Sequence, residues 1–300
     1  MAGQRNVNGI ALAAGGVMVL TPDTLFMRLS GMEGPTMVAW RGLLMGAVFL
    51  TAWLLTSRDR RGDVGLLLGA AGLGAALAHG LNAWAFTSGI AAAPVAVVLI
   101  AVSTVPVWSA VLSRVFLGES TRRATWVTMA LVLAGIAWAV AGDGLDVALG
   151  EGALLGAALG LAVALMLASG FVIFRRNPGL PILLCAGAGS AVSGLVGLAR
   201  TGPEGMVDGR VWAIAVTGLV ILPVAFFSMN AASRRTQAAN VSLLLLLETV
   251  LGPIWVWWGI GEAPTPAMWT GGAIVLASLA GYLLWSARRR PPAPMPPPAA

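Results

Sequence analysis

Apolar residues in this chain come in long runs separated by short polar breaks. Runs of about 18 or more predict membrane-spanning helices, and about 20 residues are needed to cross the hydrocarbon. Ten stretches reach that length: 8–29, 35–57, 64–88, 91–116, 121–141, 149–174, 180–199, 210–233, 236–259 and 266–287. The breaks leave no room for a soluble domain. Residues 288–300, RRRPPAPMPPPAA, read as a basic stop followed by a proline-rich tail with nothing to bury, hence extended or disordered. No segment has the charged start, short apolar run and small-residue cleavage site of a removed signal. The predicted fold class is an all-α polytopic membrane protein with ten transmembrane helices.

Charge then orients these helices. Charged residues are 10% of the chain, against about 25% in soluble domains. All 18 basic residues are arginines. With the N-terminus inside and the spans alternating, the inner breaks hold Arg5; Arg58, Arg60 and Arg61; Arg114, Arg122 and Arg123; Arg175 and Arg176; Arg234 and Arg235; and Arg288, Arg289 and Arg290. The outer breaks hold only Arg28, Arg200 and Arg210. Short arginine-rich loops stay in the cytoplasm, which places both termini there and predicts a bacterial inner (plasma) membrane protein. The net charge of +6 therefore reports topology, and nucleic acid is not an expected partner. Cys185 is the single cysteine and sits in an apolar run, so no internal disulfide forms.

The two halves repeat. GESTRRATWVTMALVLAGIA (118–137) and GEAPTPAMWTGGAIVLASLA (261–280) align without gaps at an offset of 143, with nine identities in twenty. Both carry Gly-Glu and a tryptophan seven residues after the glutamate. Each half holds five spans, an odd number, so the second half crosses in the opposite sense. That is an inverted-topology repeat, common among secondary transporters. The domains are a first repeat at 1–145, a second at 146–287 and the tail at 288–300.

RLSGMEGPTMVAWRGLLMG leading into the second span, VPVWSAVLSRVFLGES closing the fourth and LLETVLGPIWVWWGIGEAPT closing the ninth carry a likeness to a known family. Their order and spacing resemble the EamA-type drug/metabolite transporter superfamily and, more closely, the YddG-type amino-acid exporters. The resemblance implies ten helices around a central cavity between the halves, and small organic solutes as cargo. One departure concerns the ninth span. The family often has Glu-Pro there, whereas Glu248 is followed here by Thr249, with the proline at Pro253. Any kink is expected to be displaced accordingly.

An ionisable group inside a span costs a few kcal/mol on insertion scales and is a functional candidate by default. Asp23, Arg41, His79 and Glu248 are such groups. Asn82 and Phe86 follow His79 at i+3 and i+7, so the three share a helix face suited to an amphipathic solute. A single hydrogen bond to a neighbouring helix would equally explain His79. Glu248 lies close to mid-depth, as a partner for a substrate amine, a proton carrier or a structural carboxyl. Asn240, Ser103, Trp84 and Trp138 are further candidates for the cavity wall. Pro22, Pro94, Pro106, Pro223 and Pro253 interrupt spans; such breaks either expose backbone to a cavity or kink helices for packing. Ser103 and Thr104 could satisfy carbonyls freed by Pro106. Gly152, Gly156 and Gly160 form a stripe that close helix contact explains. Asp23 and Arg41 each lie nine residues from Met32, at similar depth on adjacent helices. A buried charge needs a partner, so an Asp23–Arg41 contact is expected, as a clamp or an outer gate, with the Met18 carbonyl freed by Pro22 as a second acceptor for the arginine.

No lysine is present, so the ATP-binding signature GxxxxGK[ST] cannot occur. LASG (167–170) and AVSG (191–194) lack the first glycine of a Gly-x-Ser-Gly intramembrane protease. One histidine and one cysteine make no metal site alone. The expectation is a non-enzymatic secondary transporter without cofactors. A single arginine within a span argues against phosphorylated cargo. Hydrophobic and aromatic amino acids are the favoured cargo, other amphipathic metabolites or drugs the alternative. The expected partners are that solute and the lipid bilayer, and a monomer is compatible with the chain.

Overall fold

Backbone amides and carbonyls in hydrocarbon must pair within their own segment, which leaves helices as the structure for apolar runs of this length. The computed structural model describes residues 2–93, 95–141, 152–261, 263 and 265–288, and every regular element among them is helical. They are α1 (Ala2–Leu20), α2 (Asp23–Ser30), α3 (Gly34–Thr56), α4 (Arg60–Leu68), α5 (Ala70–Ala92), α6 (Val95–Val102), α7 (Val105–Leu117), α8 (Arg123–Ala141), α9 (Ala153–Arg176) and α10 (Ile182–Gly205). A π-helical segment (Thr217–Ile221) joins α11 (Val211–Val216) to α12 (Leu222–Ser233), and α13 (Ala238–Leu245), α14 (Leu247–Ile260) and α15 (Pro266–Arg288) follow. Pro94, the predicted boundary at 145/146 and the tail from Arg289 lie outside the described residues.

Among the described residues, seven stretches are long and apolar enough to cross a membrane, and eight if α4 and α5, bent by 76° at Gly69, count as one. Arg123–Ala139 is a shorter apolar helix. The chain is thus an all-helical polytopic membrane protein. Several predicted spans are interrupted, and each interruption has a local cause. Pro22 ends α1, and the carbonyl its missing amide would leave open, Met18's, accepts from Thr21 Oγ1 at 2.9 Å. The expected Met18–arginine bond is therefore pre-empted by the neighbouring hydroxyl. Ser103 and Thr104 separate α6 from α7, and their hydroxyls donate to the Ile100 and Ala101 carbonyls at 2.6 Å each. The ninth predicted span breaks at Leu246, seven residues before Pro253, which sits inside α14. Thr249 Oγ1 donates to the Leu246 carbonyl there, at 2.7 Å.

The breaks at Ser103 and Leu246 are 143 residues apart, the offset of the sequence repeat. Gly118 and Gly261, again 143 apart, cap α7 and α14 in the left-handed conformation, at φ 66° and 83°. A side chain is strained there, which explains the glycine in both copies of Gly-Glu.

Small residues set the helix spacing. α3 and α10 run antiparallel in close contact, from Thr36 beside Thr201 to Phe49 beside Gly187. At the centre, a Cβ on Gly42 would stand 2.5 Å from the Gly194 amide nitrogen, and one on Gly194 would stand 2.4 Å from that of Leu43. α8 and α15 cross as closely at Gly135 and Gly271. α5 packs on α9, α1 on α12 and α7 on α13. In the predicted glycine stripe, Gly156 and Gly160 meet Ala93 and Val98 as close contact requires, while Gly152 precedes the helix as its N-cap.

The breaks gather at two ends. At one, Arg175 donates to Glu119 Oε1 from Nε at 2.8 Å and to the Ser233 and Thr236 carbonyls. Arg234 donates to the Leu180 carbonyl and lies over the Phe174 ring. At the other, Arg210 N donates to the Ser30 carbonyl at 2.7 Å and Trp40 Nε1 to that of Met206 at 2.8 Å.

Replacing Gly42 with leucine should force α3 off α10 and cost about 1–3 kcal/mol or more. The same change at Gly281, where a Cβ meets nothing within 4 Å, should be nearly neutral. Thermal unfolding of the two variants in one detergent compares them.

Candidate functional site

Where spans are broken, helices splay, and a cavity of about 720 Å³ opens between them. Its wall draws on α2, α3, α5, α6, α9, α10, α12 and α14. It reaches the 31–33 break through Gly31 and Met32 and the 261–265 break through Ala263. No wall residue comes from the breaks around Glu119, Leu180 or Arg235. Small-molecule sites typically occupy about 300–1,000 Å³ and combine apolar walls with a few polar groups.

The polar groups of the wall include four ionisable side chains besides His79, namely Asp23, Arg28, Arg41 and Glu248. Asp23 is the first residue of α2, immediately after the Pro22 break. Glu248 is in the first turn of α14, immediately after the Leu246 break. Each carboxylate thus sits at the start of a new helix, where the unpaired amides and the helix dipole favour negative charge. Trp255 Nε1, from α14, donates to Thr21 Oγ1 at 3.0 Å and ties the two breaks together. Arg41, from α3, donates from Nη2 to Asp23 Oδ2 at 2.8 Å. Asp23 is buried, and Arg41 is largely so. Asp23 Oδ1 and Arg41 Nη1 have no protein partner.

His79, Asn82 and Phe86 line the same cavity from α5, as one helix face requires. The His79 ring stands edge-on to Phe226 of α12, with centroids 5.0 Å apart. His79 and Asn82 also border a side pocket of about 10 Å³ with Asn230, enough for about one water. Asn82 Oδ1 is buried and has no protein partner.

Four predicted wall residues stand elsewhere. Ser103 is fully buried, its hydroxyl bonded to the Ile100 carbonyl inside its own helix turn. Asn240 is buried between Tyr282, whose hydroxyl it accepts, and Thr236, to which it donates at 2.9 Å. Trp138 is 61% exposed and donates to Thr270 across the α8–α15 crossing. Trp84 is half-buried outside the cavity wall. Position in an apolar run does not fix which face of a helix a residue occupies, since face depends on neighbours. The sequence reading also passed over a group of methionines. Met27, Met32, Met37, Met45 and Met268 all line the cavity, and their crowding around the break at 31–33 was the available signal.

Asp23→Asn and Arg41→Gln should each leave one buried charge unpaired and cost about 3–5 kcal/mol, while the double variant recovers most of the loss. Thermal unfolding of the three variants and the parent reads the coupling directly.

The comparisons with known proteins agree with this architecture. One solved crystal structure, titled only as that of a protein, superposes with a TM-score of 0.75 over 95% of this chain and 100% of its own, at 20% identity. That likeness shows the fold. No curated protein matches the chain. The model of the EamA-like transporter family matches residues 7–141, the stretch from α1 to α8. Residues 7–141 are thus similar to the EamA-like transporter family, the superfamily that the sequence resemblance pointed to.

Proposed function

We propose that this protein is a secondary transporter that exports small hydrophobic and aromatic amino acids by alternating access. The observation that carries the reading is a cavity in which four ionisable groups, Asp23, Arg28, Arg41 and Glu248, meet walls built largely of methionine, phenylalanine and aliphatic side chains. A free amino acid carries an ammonium, a carboxylate and a side chain on one carbon. Glu248 and the unshared Asp23 oxygen suit the ammonium, and Arg41 Nη1 suits the carboxylate. Phe86, Phe226 and the methionines suit an apolar side chain, with Asn82 and His79 available to a polar atom at its tip.

Alternating access is supported by the repeat. The matching breaks at Ser103 and Leu246 and the matching caps at Gly118 and Gly261 give the two halves one plan read in opposite directions. On that plan the chain has ten crossings in two inverted five-helix repeats, at 1–145 and 146–287. The cavity opens at the end bearing the 31–33 break, and the arginine-rich end is closed by Arg175 and its partners. With arginine-rich breaks in the cytoplasm, this is an outward-open state with both termini inside the bacterial inner membrane. Cysteines placed at positions 3 and 295 should label from the same face.

The five methionines favour a second reading, export of other amphipathic metabolites or drugs, because flexible thioethers adapt to varied shapes. Uptake into proteoliposomes separates the two. Labelled tryptophan, phenylalanine and leucine should be carried, and Glu248→Gln and His79→Ala should lower the rate about tenfold or more while the protein stays folded. Transport of apolar cations in place of amino acids would select the second reading. Rates unchanged in both variants would remove Glu248 and the α5 face from the site.

A further inference from the structure

The elbow between α3 and α5 carries a surface that transport does not use. α5 alone has 23 residues, about 34 Å at 1.5 Å per residue, which spans a hydrocarbon core of about 30 Å unaided. α4 is therefore not needed to cross, and its 76° bend lays it close to the membrane plane when α5 stands upright. Its polarity runs along its axis. Arg58, Arg60 and Arg61 stand exposed at its start, and Val64, Leu66 and Leu68 stand exposed in its last five residues. An element of that kind steps from the headgroup layer into hydrocarbon.

Asp59 and Asp63 are the neighbouring carboxylates, and each is bonded to neutral donors, so three guanidiniums stand beside two carboxylates. Asp59 accepts from the Gly62 amide at 3.0 Å as the cap of α4. Asp63 accepts from Trp53 Nε1 at 2.8 Å and Ser57 Oγ at 2.6 Å. Arg60 Nη2 donates to the Leu54 carbonyl at 2.7 Å, which holds its guanidinium by the last turn of α3 without cancelling its charge. The elbow is also anchored. Leu67 packs into the cluster of Phe174, Leu180 and Ile182, and the two bonds to Asp63 pin the start of α4 to α3.

We propose that Arg58, Arg60 and Arg61 form a fixed docking surface for anionic phospholipids. The phosphate diester pairs with the guanidiniums, and the acyl chains lie against Leu55, Val64, Leu66 and Leu68. Charge complementarity selects this occupant. Each arginine near a surface favours anionic lipid by about 1 kcal/mol, or about fivefold. The proposal rests on the protein's place in the membrane and is independent of its cargo.

Hydrogen exchange at residues 58–68 tests it in nanodiscs of phosphatidylcholine, with and without phosphatidylglycerol. Exchange should slow in the anionic nanodiscs, recover in high salt, and be indifferent to lipid in R58Q/R60Q/R61Q. The exposed pair R122Q/R123Q at the 118–122 break should behave as the parent. Equal exchange in both lipids for the parent would overturn the proposal, as would an unaltered lipid response in the triple variant or an equal loss in R122Q/R123Q. Slowing by inorganic phosphate in phosphatidylcholine nanodiscs would replace the lipid with a free-anion site. Native mass spectrometry of the parent, counting retained phosphatidylglycerol against phosphatidylcholine, gives a readout needing no variant. Equal retention would count against the surface.

Discussion

The approach of α3 to α10 at Gly42 and Gly194 sets the scale of everything around it. Backbone nearly touches backbone there, with the Gly42 Cβ position within 2.5 Å of the facing amide nitrogen. In a bilayer no hydrophobic force draws helices together, so packing has to do it, and small residues let it act at short range. That contact runs from Thr36 to Phe49. The cavity lies against this pair, and Gly42, Val38 and Ser190 form part of its wall.

The broken spans are the second consequence. A continuous helix offers a cavity only side chains, whereas a broken one offers the amides of a fresh helix start. Two breaks are each followed by a carboxylate that lines the cavity, Asp23 after Pro22 and Glu248 after Leu246. Each is made stable by a hydroxyl that takes up a carbonyl, Thr21 for Met18 and Thr249 for Leu246. The Trp255–Thr21 bond then holds the breaks side by side, so the two carboxylates share one corner.

Much of this was legible in the sequence. Long apolar runs allow only helices, and their lengths located nearly every element. The Asp23–Arg41 pair followed from symmetry about Met32 and from the cost of an unpaired charge, and the α5 face followed from i, i+3, i+7 spacing. The EamA-like stretch was recognisable from motif order. What escaped were features decided by neighbours. Asn240 and Trp138 sit at plausible depths, yet Tyr282 and Thr270 hold them away from the cavity. The break in the ninth span fell at Leu246 because local hydroxyl bonding, and not the nearest proline, decided where the helix gave way. The 76° elbow at Gly69 left no mark in hydropathy, since α4 and α5 read as one apolar run.

The repeat governs the backbone and not the chemistry. At the offset of 143, Asp23 corresponds to Met166, Arg41 to Leu184, His79 to Leu222, Asn82 to Ala225 and Glu248 to Val105. These five polar residues are thus each matched by an apolar one, while the break at Ser103 and Leu246 and the glycine caps at Gly118 and Gly261 are kept in both halves. The two ends consequently close by different means. The end bearing the 31–33 break carries charges that face the cavity and remain partly unshared, at Asp23 Oδ1 and Arg41 Nη1. The opposite end is sealed by Arg175, which bonds to Glu119 and to the carbonyls of Ser233 and Thr236. Under the alternating access proposed above, the matched elements would offer two packings, and the asymmetry of the side chains would let a solute favour one of them, because a ligand shifts an equilibrium only by its differential contacts with the two states.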